Sequence, residues 1–360
     1  MLRFATLLES ELQKRGHTVR LLQPQPILGN DMYGHAGLGK WLGYVDKFLL
    51  FPRKLSSIKS AFDVVHICDH SNAMYTSLLR GIPHVVTCHD LLAIKSALGE
   101  VPQNPVRPTG RQFQRMIVDG LKQAQRVICD SENTRLELLR ITARPPESVS
   151  RVYLGLNYPY SPMETRKALA LLEEHHIKTA TPFFIHVGAN QWYKNRLGVL
   201  HIFNQLRRHI PLSRLQLLMV GPPASESMRR FMKEQDLGGA VQLVTGVSNE
   251  VLRAAYSLAQ ALIFPSLEEG FGWPILEAQA CGCPVFTTGR APMTELGGTA
   301  AVYFNPSAEE DAANCISNSL SKLDNLRRLG LENVKRFQEA TMIHEYLDAY
   351  EQVASEKVVH

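Results

Sequence analysis

The stretch Pro265-Ser-Leu-Glu-Glu-Gly-Phe-Gly-Trp-Pro-Ile-Leu-Glu-Ala-Gln-Ala-Cys-Gly-Cys-Pro284 decides how the rest of the chain reads. It follows an apolar run, Ala261 to Phe264, and leads into a helix with Pro274 at a favourable first position. A strand-to-helix loop of this kind lies at the carboxyl edge of a parallel sheet, where open α/β folds bind ligands. Gly270 and Gly272 carry no side chain, so backbone N–H groups can come close to a ligand. The helix starting near Pro274 directs its unpaired amides and positive dipole end to the same place, which suits a diphosphate. Glu269 and Glu277, eight residues apart, are poor phosphate binders but good acceptors for the vicinal hydroxyls of a ribose or hexose. Paired acids beside an anion site point to a sugar nucleotide. Taken singly, Glu277 reads equally as a charge in the first helical turn stabilised by the macrodipole, and Glu269 as a solvated loop acid.

Outward from this loop, short apolar runs rich in β-branched residues alternate with helical patterns. The first half holds Asp63–Cys68, Pro83–Cys88, Gln125–Cys129 and Val149–Tyr153, with helices over Ser71–Arg80 and from Ser131-Glu-Asn-Thr134 to Ile141. In the second half the runs are Phe183–Val187, Leu215–Val220, Val241–Thr245, Ala261–Phe264, Pro284–Thr287 and Ala301–Tyr303. This alternation predicts βαβ units and an α/β fold of two Rossmann-like domains facing each other across a cleft. The expected division is a first domain over 1–160, a second over 161–325, and helices over 326–360 packing back toward the first domain. The polar, helical stretch Tyr158–Thr181 reads as the hinge. The chain opens on a helix, Leu7–Arg15, with Gly16 as its C-cap and His17–Leu22 as a short strand, so the N-terminal domain is expected to lack its first strand.

The bulk properties agree with a two-domain enzyme. The 360 residues are 45% hydrophobic and 20% charged, the balance of a globular chain rather than a disordered one. Apolar runs stop well short of the ~18 to 20 residues needed to cross a bilayer, and the first residues lack a secretory signal, so a cytoplasmic location is expected. The six cysteines are scattered without C-x-x-C spacing and read as free thiols rather than a zinc site. The net charge is +5, but residues 1–160 hold 20 Lys or Arg against 13 Asp or Glu, so the basic character belongs to this half. That asymmetry points to a lipid-linked or otherwise anionic acceptor and to peripheral contact with the inner face of a membrane, and no nucleic-acid partner is expected. Gly39–Lys54 interleaves aromatic and basic residues. It reads as a basic amphipathic surface or, more simply, as a helix packing its apolar face on the domain.

The Glu269–Glu277 pair, set in E-G-F-G-W-P-I-L-E-A, resembles the Glu-x7-Glu signature of the family-four retaining glycosyltransferases. The similarity continues through Cys281-Gly-Cys-Pro-Val285 and Glu295-Leu-Gly-Gly298. The resemblance implies a retaining GT-B enzyme that moves a hexose from a nucleoside-diphosphate sugar to a hydroxyl acceptor in glycan, polysaccharide or glycolipid synthesis, with no metal or other cofactor. By position, Glu277 would hold the ribose of the donor and Glu269 the transferred sugar near the reacting centre. The Phe271 and Gly272 amides would bind sugar hydroxyls, with Gly270 and Trp273 in the same donor loop.

In His186-Val-Gly-Ala-Asn-Gln-Trp-Tyr-Lys-Asn-Arg196 the resemblance places Gly188 at a strand end and Lys194 on the diphosphate. Many members carry an arginine just after the glycine; this chain has Ala189, and Arg196 is the candidate substitute. Lys194 alone would read as a solvated lysine at a helix start. In Thr87-Cys-His-Asp90, His89 matches the family histidine that faces the donor sugar, although a lone histidine is more often structural, and Asp90 would stand behind it. Val247, within Gly246-Val-Ser248, falls where the family seats the nucleobase.

One departure bears on activity. The chain starts inside what the family makes its first helix, so either the true start lies upstream or this is a truncated relative. The competing functions are a non-catalytic sugar-nucleotide-binding relative and a sugar-nucleotide epimerase.

Overall fold

The structure is a computed structural model that describes residues 2–23, 45–58, 61–209 and 215–356. It divides into two compact units, Met1–Asn157 with Glu339–His360, and Tyr158–Gln338. The segment returning to the first unit is thus the single helix Glu339–Ser355. The preceding helix Leu323–Asn333, expected in part to return with it, stays in the second unit. There Leu326 joins the core, and the Asn333 amide donates to Gln279 and to the Leu296 carbonyl.

The first unit contains four parallel strands in the order β1 (Val65–Ile67), β2 (His84–Cys88), β3 (Arg126–Cys129) and β4 (Val149–Arg151). β2 is buried throughout, which is why it reads as an unbroken apolar run rather than an alternating one. Local caps fix the turns between strands. The Asp69 carboxylate accepts from the Ser71 amide at the start of the 3-10 turn His70–Leu79, and Ser131 Oγ accepts from the Thr134 amide at the start of the helix Glu132–Thr142. The terminal helix is tied to the sheet by a polar chain: Tyr350 Oη lies 2.8 Å from His66 Nδ1, His66 Nε2 lies 2.7 Å from Thr87 Oγ1, and Thr87 Oγ1 lies 3.0 Å from Tyr346 Oη.

Two sequence expectations change here. The opening helix runs Leu2–Lys14, but residues 17–23 are irregular rather than a strand. Thr18 and Leu21 are exposed and Val19 and Leu22 half-buried, and no ladder partner pairs with this segment among the described residues; strand propensity counts only where a neighbouring strand supplies the hydrogen bonds. Of the segment Gly39–Lys54, Trp41, Leu42 and Tyr44 lie outside the described residues. The described part is helical over Asp46–Leu50 and Phe51–Ile58, with Leu55 buried and Phe51 against the Tyr75 ring at 5.1 Å, while Phe48 and Leu49 stay exposed. No helix among the described residues is long and apolar enough to cross a membrane.

The second unit contains β5 (Phe183–Val187), β6 (Gln216–Val220), β7 (Val241–Val244), β8 (Leu262–Phe264), β9 (Val285–Thr288) and β10 (Ala301–Phe304), all parallel, in the order β10-β9-β8-β5-β6-β7. Phe184, Phe203, Ile263 and Phe286 anchor its core. The chain builds outward from β5 through β6 to β7, then re-enters beside β5 with β8, where Ile185 faces Leu262, and builds the other way. Such a reversal opens a crevice at the carboxyl ends of the two central strands, and this is where open parallel sheets bind ligands.

Packing in the first unit leaves no room at Gly120, in the helix Pro108–Gln123 against the His70–Leu79 turn. A Cβ there would sit 2.1 Å from the Ala73 carbonyl oxygen, so backbone would have to move. Gly120→Ala is expected to destabilise the protein by about 3 kcal/mol, the upper end for an overpacked core, read as a lower denaturant midpoint with unchanged slope. An unchanged midpoint would refute this packing.

Candidate functional site

The loops that leave β5 and β8 are laced together. After β5 the backbone makes a 3-10 turn, Trp192–Lys194, and Asn195 takes a left-handed conformation (φ +50°) before the helix Arg196–His209. The Asn195 amide donates to the Pro265 carbonyl at 3.2 Å, and the Leu267 N–H donates to the Tyr193 carbonyl at 2.7 Å. This lacing brings Lys194 and Glu269 together: Lys194 Nζ donates to Glu269 Oε1 at 2.7 Å, with side chains 16% and 8% exposed. The buried Ser266 hydroxyl donates to the same carboxylate oxygen at 2.6 Å. Two aromatic faces border the ammonium, Phe264 at 5.3 Å and Tyr193 at 5.5 Å from ring centroid to Nζ, within the range of cation–π attraction.

The rest of the loop turns into the helix Trp273–Ala280 through Gly272, whose φ of +116° only glycine adopts without strain. Gly270, Phe271 and Gly272 are buried, and the Phe271 ring packs edge-on to Trp273 and Phe337. The helix begins at Trp273, one residue before Pro274, so Glu277 falls beyond the first turn. Its expected alternative role as a charge on the helix dipole weakens accordingly, since that effect fades within a turn. Glu277 is instead buried and accepts from the hydroxyl of the fully buried Tyr256 at 3.2 Å.

The β5 loop corrects one cation. Arg196 is 4% exposed, and its Nη1 donates to the Asn190 side-chain oxygen and to the Pro222 carbonyl. The guanidinium therefore braces the loop from inside, and the cation that meets an acidic partner at the sheet edge is Lys194. Behind it, His186 is fully buried, with Nδ1–H donating to the Ile263 carbonyl at 2.9 Å. A Cβ at Gly188 would come within 2.9 Å of His186 Nε2, which explains the glycine. Val247 is half-buried between β7 and the helix Asn249–Leu258, next to the N-cap Ser248.

In the first unit, His89 stands at the carboxyl end of β2 as expected, but both ring nitrogens are engaged. Nε2–H donates to the Cys68 carbonyl at 2.9 Å, and Nδ1 is hydrogen-bonded to the buried Asp130 carboxylate at 2.6 Å. Burial alone would depress the His89 pKa, but the Asp130 charge and hydrogen bond more than offset it and hold the ring above its usual range. Asp90 caps the next helix by accepting from the Leu92 amide. Sequence reasoning missed Asp130, Tyr256 and Ser266. Only Ser266, three residues before Glu269, carried a local signal.

Two family models match the chain: Glycosyltransferase Family 4 over residues 2–158, and Glycosyl transferases group 1 over residues 170–337. The chain is 23% identical over 322 residues to the O-antigen chain mannosyltransferase B of Escherichia coli, covering 84% of this chain and 82% of that protein. It is 25% identical over 311 residues to a D-inositol 3-phosphate glycosyltransferase of Corynebacterium kroppenstedtii, covering 81% and 68%. Among solved structures, sucrose-phosphate synthase from Thermosynechococcus elongatus superposes with TM-score 0.70 at 20% identity, over 92% of this chain and 82% of that one. Anabaena HepE, solved with UDP and glucose, gives 0.72 at 15% identity, over 95% and 88%.

Two buried neutral histidines, His66 and His186, carry a pH consequence. Burial, the largest cause in each, holds them at about 3 instead of 6.5, helped by the His89 charge for the first and by Arg196 and Lys194 for the second. Below pH 6.5 the unfolded chain takes up these protons and the folded protein does not until near pH 3, so their contribution is full above 6.5 and falls as pH drops toward 3. The loss is about 1.4 kcal/mol per pH unit for each histidine. Denaturant unfolding between about pH 7 and 5 measures this slope, and His186→Asn should remove about one histidine's share. A slope unchanged by the substitution would refute the neutral assignment.

Proposed function

The chain belongs to the group 1 and family 4 glycosyltransferases, and from that premise we propose that it is a retaining enzyme of GT-B fold that transfers a hexose from a nucleoside-diphosphate sugar to a hydroxyl acceptor. The observation that carries this reading is the meeting of Lys194 and Glu269 at the carboxyl edge of β5 and β8. A cation there offsets the charge gathering on the departing diphosphate, a role Lys194 fills in place of a metal. Glu269 accepts from hydroxyls of the transferred sugar, and Glu277, oriented by Tyr256, accepts from those of the ribose. The buried backbone of Gly270 to Gly272 lines the same turn. In the transfer, the acceptor oxygen bonds to the anomeric carbon as the bond from that carbon to the phosphate oxygen breaks. The acceptor proton passes to the leaving phosphate on the same face, which gives retention.

The likeness to an O-antigen chain mannosyltransferase supports a mannose donor and a saccharide-chain acceptor as the first substrates to try. The D-inositol 3-phosphate glycosyltransferases and the basic first half support a phosphorylated polyol as the second acceptor. A donor-binding protein without turnover is the other reading, and the engagement of both His89 nitrogens favours it.

A panel of nucleotide sugars, with nucleoside diphosphate release as the readout, separates the two. Release should fall at least ~100-fold in kcat for Glu269→Gln and for Lys194→Ala. Glu277→Gln should act mainly on donor affinity, raising KM about tenfold. Donor binding with no release identifies the non-catalytic reading, and full activity in both the Glu269 and Lys194 variants rules out the first.

A further inference from the structure

Lys194 and Glu269 serve different parts of the proposed donor, the diphosphate and the sugar, yet in the structure each occupies the other. The ammonium is bound to the one carboxylate oxygen that Ser266 also holds. Resting on the glycosyltransferase reading above, we propose that this ion pair is a latch exchanged by the donor. The diphosphate draws Lys194 off Glu269, and Glu269, kept in place by Ser266, offers its oxygens to the sugar.

The two partners are held in different ways. Ser266 is fully buried at the end of β8, its carbonyl accepts from Thr288 Oγ1 at 3.1 Å, and its hydroxyl reaches Glu269 at 2.6 Å, so the carboxylate is fixed from the sheet. Lys194 reaches the pair on a flexible four-carbon stem between the Phe264 and Tyr193 rings, whose faces accept a cation without fixing its position. Charge sets the direction of exchange. A diphosphate carries more negative charge than a carboxylate, so the mobile cation follows the phosphate. Glu269, once uncovered beside an anion, is left to the neutral hydroxyl donors of the sugar.

Glu269 then opposes diphosphate binding by occupying Lys194, although it promotes transfer. Removing its charge should raise affinity for the product nucleoside diphosphate while abolishing turnover, and the gain should require Lys194. Calorimetric titration of nucleoside diphosphates into the wild type, Glu269→Gln, Lys194→Met and the double variant closes a mutant cycle. Glu269→Gln is expected to bind about tenfold tighter than the wild type, and to change affinity by about twofold or less in the Lys194→Met background. Glu269→Ala, which also removes the residual hydrogen bond, should shift affinity in the same direction, and thermal unfolding confirms that each variant is folded. An equal gain in both backgrounds means that Glu269 merely repels phosphate and overturns the latch. Unchanged or weaker binding in Glu269→Gln overturns it as well, because Lys194 then serves both anions at once. Failure of the wild type to bind any nucleoside diphosphate sinks the glycosyltransferase reading instead.

Discussion

The pairing of β8 with β5, where Ile185 faces Leu262, is the constraint on which the candidate site depends. Had β8 followed β7 at the sheet edge, the loops after β5 and β8 would leave the sheet far apart. Because it returns to the centre, two loops separated by 75 residues emerge side by side and can be joined by backbone and side-chain hydrogen bonds. The return is favoured by burial. β5, β8 and β9 are almost wholly buried and draw most of their residues from Phe, Ile, Leu and Val, and the centre of a sheet covered on both faces is where such strands are most fully removed from water. The position of Lys194 against Glu269 thus follows from where three apolar runs find cover.

Those runs are also why the fold was legible. A central parallel strand must be apolar on both faces, so it appears as a continuous run, and Phe183–Val187 is bounded in the structure as its sequence predicts. His17–Leu22 had the composition of a strand but lacks a neighbour among the described residues, and no local pattern reports whether a neighbour exists. Gly272 was read from the sequence as leaving room for a ligand beside the backbone, and its φ of +116° adds a conformational reason for glycine there. The contact between Lys194 and Glu269 was not, since it depends on sheet order.

Side-chain direction was the least readable property. Lys194 and Arg196 are two residues apart and carry the same charge. One reaches the loop of β8, while the other turns inward to brace Asn190 and Pro222. The difference lies in the left-handed turn at Asn195 and the helix that follows, which rotate the two side chains to different sides. Glu277 shows the same limit on a smaller scale. Its place near a helix start was readable, but its contact with Tyr256, 21 residues away in sequence, was not.

The two units differ in how their most prominent polar contacts are held. In the first unit His66, Thr87, Tyr346 and Tyr350 bind the terminal helix to β1 and β2, and His89 is hydrogen-bonded to Asp130 and to the Cys68 carbonyl in the interior. Networks of this kind stabilise only when complete, since an orphaned member keeps the full cost of its desolvation. In the second unit the central charged contact joins a flexible lysine to a carboxylate at the sheet edge, where an anion can take one partner and hydroxyls the other while the buried Ser266 remains in place. A contact satisfied by a replaceable partner is the one a substrate can enter. His89, at the end of β2, has both ring nitrogens engaged within the first unit, whereas the Lys194–Glu269 contact lies at the sheet edge of the second.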